Sequence, residues 1–149
     1  MTQKLTDFLN KNDSKKHATK NGTKAHILMQ NVVVDDVCGN HGAHEIIKKI
    51  QKMPHLRKYF SHNAVTEIPI AGFVNGIFIS RRIDRLLINH ISKTIEFIDY
   101  KTDINKHEFI EKYKKQLSEY EQLLRSAYPE YKIVGYILWL HNWELEQII

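Results

Sequence analysis

The chain has 149 residues, 42% of them hydrophobic and 10% aromatic, which is enough apolar material for one folded domain and argues against a disordered tail. Its 22 Lys and Arg against 17 Asp and Glu give a formal charge of +5 and a pI near 9.2, a balance that favours a polyanionic partner, most commonly nucleic acid. No apolar run reaches the roughly 18 residues of a membrane span, the opening MTQKLTDFLNKNDSKK lacks an apolar signal core, and the lone Cys38 cannot close an internal disulfide, so a reducing cytoplasm is the expected setting.

Residues 1–21 are rich in Lys, Asn, Asp and Thr and read as a basic, loosely ordered arm ahead of a domain over 22–149. From Thr23 the pattern turns helical, with Ala25, Leu28, Met29 and Val32 on one face. A loop around Asp35–Gly42 precedes a second helix through Ile46, Ile47 and Ile50, with Pro54 at or just past its end. Val65–Val74 and Ile77–Asn89 then read as strands, joined by Asn75-Gly76, a strong two-residue hairpin signal. After a turn at His90–Lys93 comes a third strand, Thr94–Tyr100. A long helix follows from about His107 to Ala127, with Phe109, Tyr113, Leu117, Tyr120 and Leu124 as its inward stripe and Pro129 beyond its end. Lys132–Leu140 reads as a buried strand and Trp143–Ile149 as a short edge. This order predicts a mixed α/β architecture in which the fourth strand, reached by a helical crossover, can run parallel to the third.

The chemistry concentrates in Asp99-Tyr100-Lys101. Alternation along a strand puts Asp99 and Lys101 on one face, a carboxylate able to hold Mg²⁺ beside an ammonium able to orient water or balance phosphate charge. Taken alone, D-x-K also fits a surface ion pair. Asp84 stands within the apolar run IDRLLI, where an unpaired charge costs several kcal/mol, on the order expected for a buried ion. Either Arg82 or Arg85 pairs with it, or it binds metal. An antiparallel pairing of the second and third strands brings Asp84 towards Asp99, and two such charges call for a cation between them.

The run TEIPIAG…SRRIDRLLIN…IEFIDYKTD…YKKQLSEYEQLLRSAYPEYKIVGYILWL resembles the nuclease domain of RecB-family enzymes, and is closest to the C-terminal nuclease of AddA-type helicase-nucleases. The likeness spans residues of about 20 to 147 and implies a PD-(D/E)xK restriction-endonuclease-like core, a mixed central sheet flanked by helices. It implies Asp84, Asp99 and Lys101 as catalytic residues. The metal ligands would be Asp84, Asp99, the Tyr100 backbone carbonyl and His26, from Gly22-Thr23-Lys24-Ala25-His26. Gln116 and Tyr120, four apart on one helix face, would contact DNA or support the metal site; otherwise they are a solvated residue and a core residue. Glu67 is a recurrent family position, and an exposed strand glutamate is the alternative. The family usually has Gly where Arg81 stands, a change that narrows the approach or adds a phosphate contact.

Nine histidines raise other options. Cys38, His41 and His44 offer three zinc donors, but structural zinc usually takes four and no second pair is evident. His44 also competes with His26 as the family histidine, although the residues around His26 match better. The expected activity is hydrolysis of DNA phosphodiesters, as an exonuclease in repair or recombination, with Mg²⁺ and with Mn²⁺ able to substitute. Arg81, Arg82, Arg85, Lys114 and Lys115 are expected on the DNA backbone. The chain holds no phosphate-binding loop, so it is expected to act alone or with a separate helicase. The alternatives are a non-catalytic DNA-binding or helicase-docking module of the same fold, and a nuclease acting on RNA.

Overall fold

A computed structural model describes residues 22–35 and 43–149. The arm over residues 1–21 and the Cys38 and His41 positions lie outside the described residues. A helix over residues 22–30 (α1) leads the fold. Next come α2 (His44–Gln51), α3 (Pro54–Arg57) and a 3₁₀ turn, Lys58–Phe60. The strands are β1 (Ala64–Val74), β2 (Ile77–Asn89), β3 (Thr94–Lys101), β4 (Lys132–Trp139) and β5 (Glu144–Gln147), with α4 (Lys106–Ala127) between β3 and β4.

The five strands form one mixed sheet in sequence order. β1–β2, β2–β3 and β4–β5 are antiparallel, and β3–β4 is parallel across the α4 crossover. Both expected turns are present. Asn75 (φ 51°) and Gly76 (φ 78°) take the left-handed conformations that a tight two-residue hairpin requires. The stretch from Pro54 to Phe60 departs from expectation. Pro54 lies just past the end of α2, as expected, and it also opens α3, where its fixed φ and missing N–H suit the first turn.

Alternation along the strands divides the core into two layers. One side packs Ile98, Tyr100 and Leu138 against Met29, Val32, Ile47, Ile50, Leu56 and Phe60 from the first helices. The other packs Ile83, Leu86, Phe97, Ile137 and Trp139 against Tyr113, Leu117, Tyr120 and Leu124 of α4. The expected face of α1 is shorter and narrower than its periodicity suggests: Met29 is buried, Val32 is buried but lies beyond the end of the helix, and Leu28 is 37% exposed. Gly135 marks the closest approach within the second layer, since a Cβ there would lie 2.4 Å from the Phe97 ring. Phe97 is fully buried and cannot retreat. Gly135→Ala is therefore expected to destabilise the fold by about 1–3 kcal/mol, read as a lower urea midpoint.

The sheet splits where the site lies. β2 pairs with β3 only from Arg85↔Ile98 to Asn89↔Thr94, and the rest of β2 continues with β1 alone. At the split, the β1–β2 ladder passes from Thr66↔Arg85 to Ile68↔Ile83 without registering Glu67 or Asp84. Glu67 has φ 54°, a strained value for a side chain of its size. Ile83 and Leu86, three residues apart, both face the α4 layer, so the strict alternation of β2 breaks across Asp84 and Arg85.

Candidate metal and catalytic centre

The break in β2 sends Asp84 and Arg85 to different tasks. Asp84 is 6% exposed, and its Oδ2 accepts the Tyr100 backbone N–H at 2.7 Å. The carboxylate thus satisfies a strand N–H just beyond the last β2–β3 pair. Its Oδ1 lies 3.2 Å from His26 Nδ1, and His26 Nε2 lies 3.1 Å from the Tyr100 carbonyl oxygen. One imidazole from α1 therefore spans the Asp84 carboxylate and the Tyr100 carbonyl. Both neighbours are acceptors, so the ring can serve both at once only as the two-donor imidazolium. In keeping with this, the His26 pKa is raised, chiefly by the hydrogen bond to Asp84, against an opposing contribution from burial.

Asp99 projects from β3 towards α4 and is 2% exposed. Its Oδ1 accepts from Gln116 Nε2 at 3.1 Å and from the Tyr120 hydroxyl at 3.3 Å. Its Oδ2 is buried with no hydrogen-bond donor in line, although Lys101 Nζ stands 2.5 Å away as an ion pair. The ammonium meets the charge of that oxygen, and no second donor reaches it among the described residues. Burial raises the Asp99 pKa above the usual carboxylate range; Lys101 opposes this and the negative charge of Asp84 adds to it. Lys101 Nζ also donates to Gln116 Oε1 at 3.1 Å. Gln116 thereby joins three of the expected site residues, donating through Nε2 to Asp99 and to the Tyr120 hydroxyl (2.5 Å) and accepting from Lys101.

His26, Asp84, Tyr100 and Lys101 line a cleft of about 1090 Å³, together with Glu67, Arg82 and residues of the β3–α4 connection such as Thr102 and Asp103. Among the described residues no cluster of three His, Cys, Asp or Glu side chains is drawn together as a metal site. The donor set suits a hard divalent cation nonetheless. It offers two buried carboxylates, a strand carbonyl and, once His26 gives up a proton, an imidazole. A cation near both carboxylates would favour the charged form of Asp99 against the burial that chiefly raises its pKa and against the lesser contribution of Asp84.

Of the residues expected on DNA, Arg85 requires correction. It is 1% exposed and lies on the opposite side of the sheet from α4. Its Nε donates to the Tyr100 hydroxyl at 2.7 Å, Nη1 to the Tyr59 carbonyl at 2.9 Å, and Nη2 to the carbonyls of Met29 and Val32 at 2.9 and 3.1 Å. The guanidinium also stacks 4.2 Å over Phe60. A group so enclosed cannot reach a phosphate. It ties the end of α1, and so His26, to β3. The Tyr100 hydroxyl that receives it is pushed up to about 12, chiefly by burial, with Arg85 opposing.

The other cations stand at the surface. Arg82 lines the cleft and pairs with Glu67 at 3.4 Å, which gives Glu67 a partner at the cleft rim. Arg81 pairs with Glu119 of α4 at 2.8 Å, and Lys114 pairs with Glu111 at 2.9 Å. Lys115 is exposed on α4. None of these three lines the cleft. His44 opens α2 and does not line it either, whereas His26 does. Sequence reasoning assigned Tyr113 to the core stripe, yet its ring lies 4.3 Å from Lys101 Nζ and its hydroxyl donates to Asp103. The signal was its spacing: Tyr113, Gln116 and Tyr120 share one face of α4. A search with the chain's sequence finds no matching protein-family model and no matching curated protein.

Proposed function

We propose that the chain is a metal-dependent DNA nuclease of the RecB-like PD-(D/E)xK kind, similar to the nuclease domain of AddA-type enzymes, and that it acts as an exonuclease in repair or recombination. The observation that carries this reading is the convergence of His26, Asp84, the Tyr100 carbonyl, Asp99 and Lys101 at one split in the sheet, beside an open cleft. Two buried carboxylates stand in this one region, Asp84 beside the His26 imidazole and Asp99 beside the Lys101 ammonium, an arrangement that a cation and a phosphate can use.

In this reading Asp84, Asp99 and the Tyr100 carbonyl hold Mg²⁺ or Mn²⁺, with His26 as a further ligand. The bound cation supplies Lewis-acid polarisation of a phosphoryl oxygen and a more acidic water. Lys101 presents its ammonium to the attacking water or to the charge developing on phosphate. Gln116 and Tyr120 hold Asp99 in orientation through its Oδ1. Arg82, at the cleft rim, contacts the phosphate backbone, and the basic charge of the whole chain favours that approach.

The test is cleavage of end-labelled single- and double-stranded DNA, with matched RNA strands, in Mg²⁺, Mn²⁺ or excess chelator. The expected result is metal-dependent degradation of DNA from an end, with RNA spared. RNA cut as fast as DNA would move the reading to an RNA-directed nuclease. Folded protein that binds DNA without cutting it would instead point to a binding or helicase-docking module.

A further inference from the structure

Lysine carries a compact charge on a four-carbon stem with several rotatable bonds, and holding its ammonium in one place requires more than one partner. Lys101 Nζ has three: Asp99 Oδ2 at 2.5 Å, Gln116 Oε1 at 3.1 Å, and the face of the Tyr113 ring at 4.3 Å from its centroid. These differ in what they can do during the proposed reaction. Asp99 is a proposed cation ligand, so engaging a cation weakens its hold on Lys101. Gln116 already divides its amide between Asp99 and Tyr120. The aromatic face holds no other cation among the described residues and attracts an ammonium whatever the state of Asp99.

Tyr113 is itself fixed. It is 8% exposed, its ring packs against Phe109 and Trp139 at 6.2 and 6.1 Å between centroids, and its hydroxyl donates to the Asp103 carboxylate. Asp103 lies in the β3–α4 connection and lines the cleft, so the ring is anchored at both ends.

We propose that Tyr113 is a positioning residue: its ring is a cation–π seat that keeps the Lys101 ammonium at the reacting phosphate. The inference rests on the nuclease reading for its kinetic consequence but not for its structural one. A seat formed by the ring predicts that Tyr113→Phe, which keeps the aromatic face, behaves nearly as wild type, whereas Tyr113→Leu does not. Loss of a held reacting group costs on the order of 100-fold when it lets that group drift by about 1 Å.

Two measurements on the full chain separate the possibilities. In steady-state DNA cleavage, Tyr113→Leu is expected to lower kcat by about 30- to 100-fold with KM within about twofold, and Tyr113→Phe to keep kcat within about fivefold. In acetic anhydride labelling read by mass spectrometry, Lys101 is expected to react about tenfold faster in Tyr113→Leu than in wild type or Tyr113→Phe. Thermal melts confirm that all three proteins are folded. The proposal is overturned if Tyr113→Leu labels Lys101 at the wild-type rate, if Tyr113→Phe is as defective as Tyr113→Leu, or if the loss falls on KM. A wild type that cuts no DNA while the labelling pattern holds overturns the nuclease reading and leaves the seat standing.

Discussion

Lys101→Ala is expected to reduce DNA cleavage by about 10²- to 10⁴-fold while leaving the fold and the affinity for Mn²⁺ close to wild type. The ammonium sits beside Asp99 on the cleft side of the site and is not among the proposed ligands, so its loss removes a reacting group and spares the cation. Asp99→Ala should differ in kind. It removes a proposed ligand and the acceptor shared by Gln116 and Tyr120, so both cleavage, by at least about 10³-fold, and cation binding are expected to fail. Single-turnover rates beside a Mn²⁺ titration distinguish the two variants. Equal losses of cation binding in both would contradict the division of roles.

Arg85→Met is expected to destabilise the protein by about 3–6 kcal/mol, a large part of the roughly 5–15 kcal/mol that a domain possesses. The guanidinium donates to the carbonyls of Met29, Val32 and Tyr59 and to the Tyr100 hydroxyl; Met29 keeps the Val32 N–H at 3.2 Å, and each of the other two buried carbonyls left without Arg85 costs about 1–3 kcal/mol. The methionine fills some of the space and offers no donor. Arg85→Lys should recover little, because a point charge with three donors cannot reproduce a planar fork that serves Tyr100 and three separate carbonyls. Because the same fork ties the end of α1 to the sheet, His26 should also lose its place against Asp84 and the Tyr100 carbonyl. Urea denaturation gives the measurement, and a loss below about 1 kcal/mol would mean that the carbonyls find other donors.

The contrast between Arg85 and its neighbours explains what the sequence made legible and what it concealed. Strand order, the Asn75-Gly76 turn and the inward stripe of α4 follow from periodicity and turn chemistry, which are local properties. The antiparallel pairing of the strand that carries Asp84 with the strand that carries Asp99 was legible as well, from two strand patterns joined by a short turn. Arg85 was not. Regular alternation would place it opposite Asp84, but whether that opposite side meets solvent or protein depends on α1 and the Pro54–Phe60 segment packing over it. A charged residue in a strand carries no local mark of the three carbonyls waiting for it.

Tyr113 was concealed in another way. Its position in the α4 stripe is that of a core residue, and it is one, packed against Trp139. Only the register of β3 against α4 brings Lys101 over its ring, and that register is a tertiary fact. Glu67 shows the same limit. The sequence TEIPIAG gives no hint that its glutamate takes a left-handed conformation opposite Asp84, where both strands leave the regular ladder. Irregular backbone of this kind gathers at functional sites because it re-aims side chains that a regular ladder would misdirect.

The most direct test of the account is calorimetric titration of Mn²⁺ into the wild-type chain, Asp84→Asn and Asp99→Asn, each shown to be folded by its thermal melt. The account predicts a saturable site in the wild type, weakened at least about tenfold by either substitution and unchanged in Lys101→Ala. Equal affinity in all four proteins, or no binding by folded wild type, would contradict a cation site built on Asp84 and Asp99.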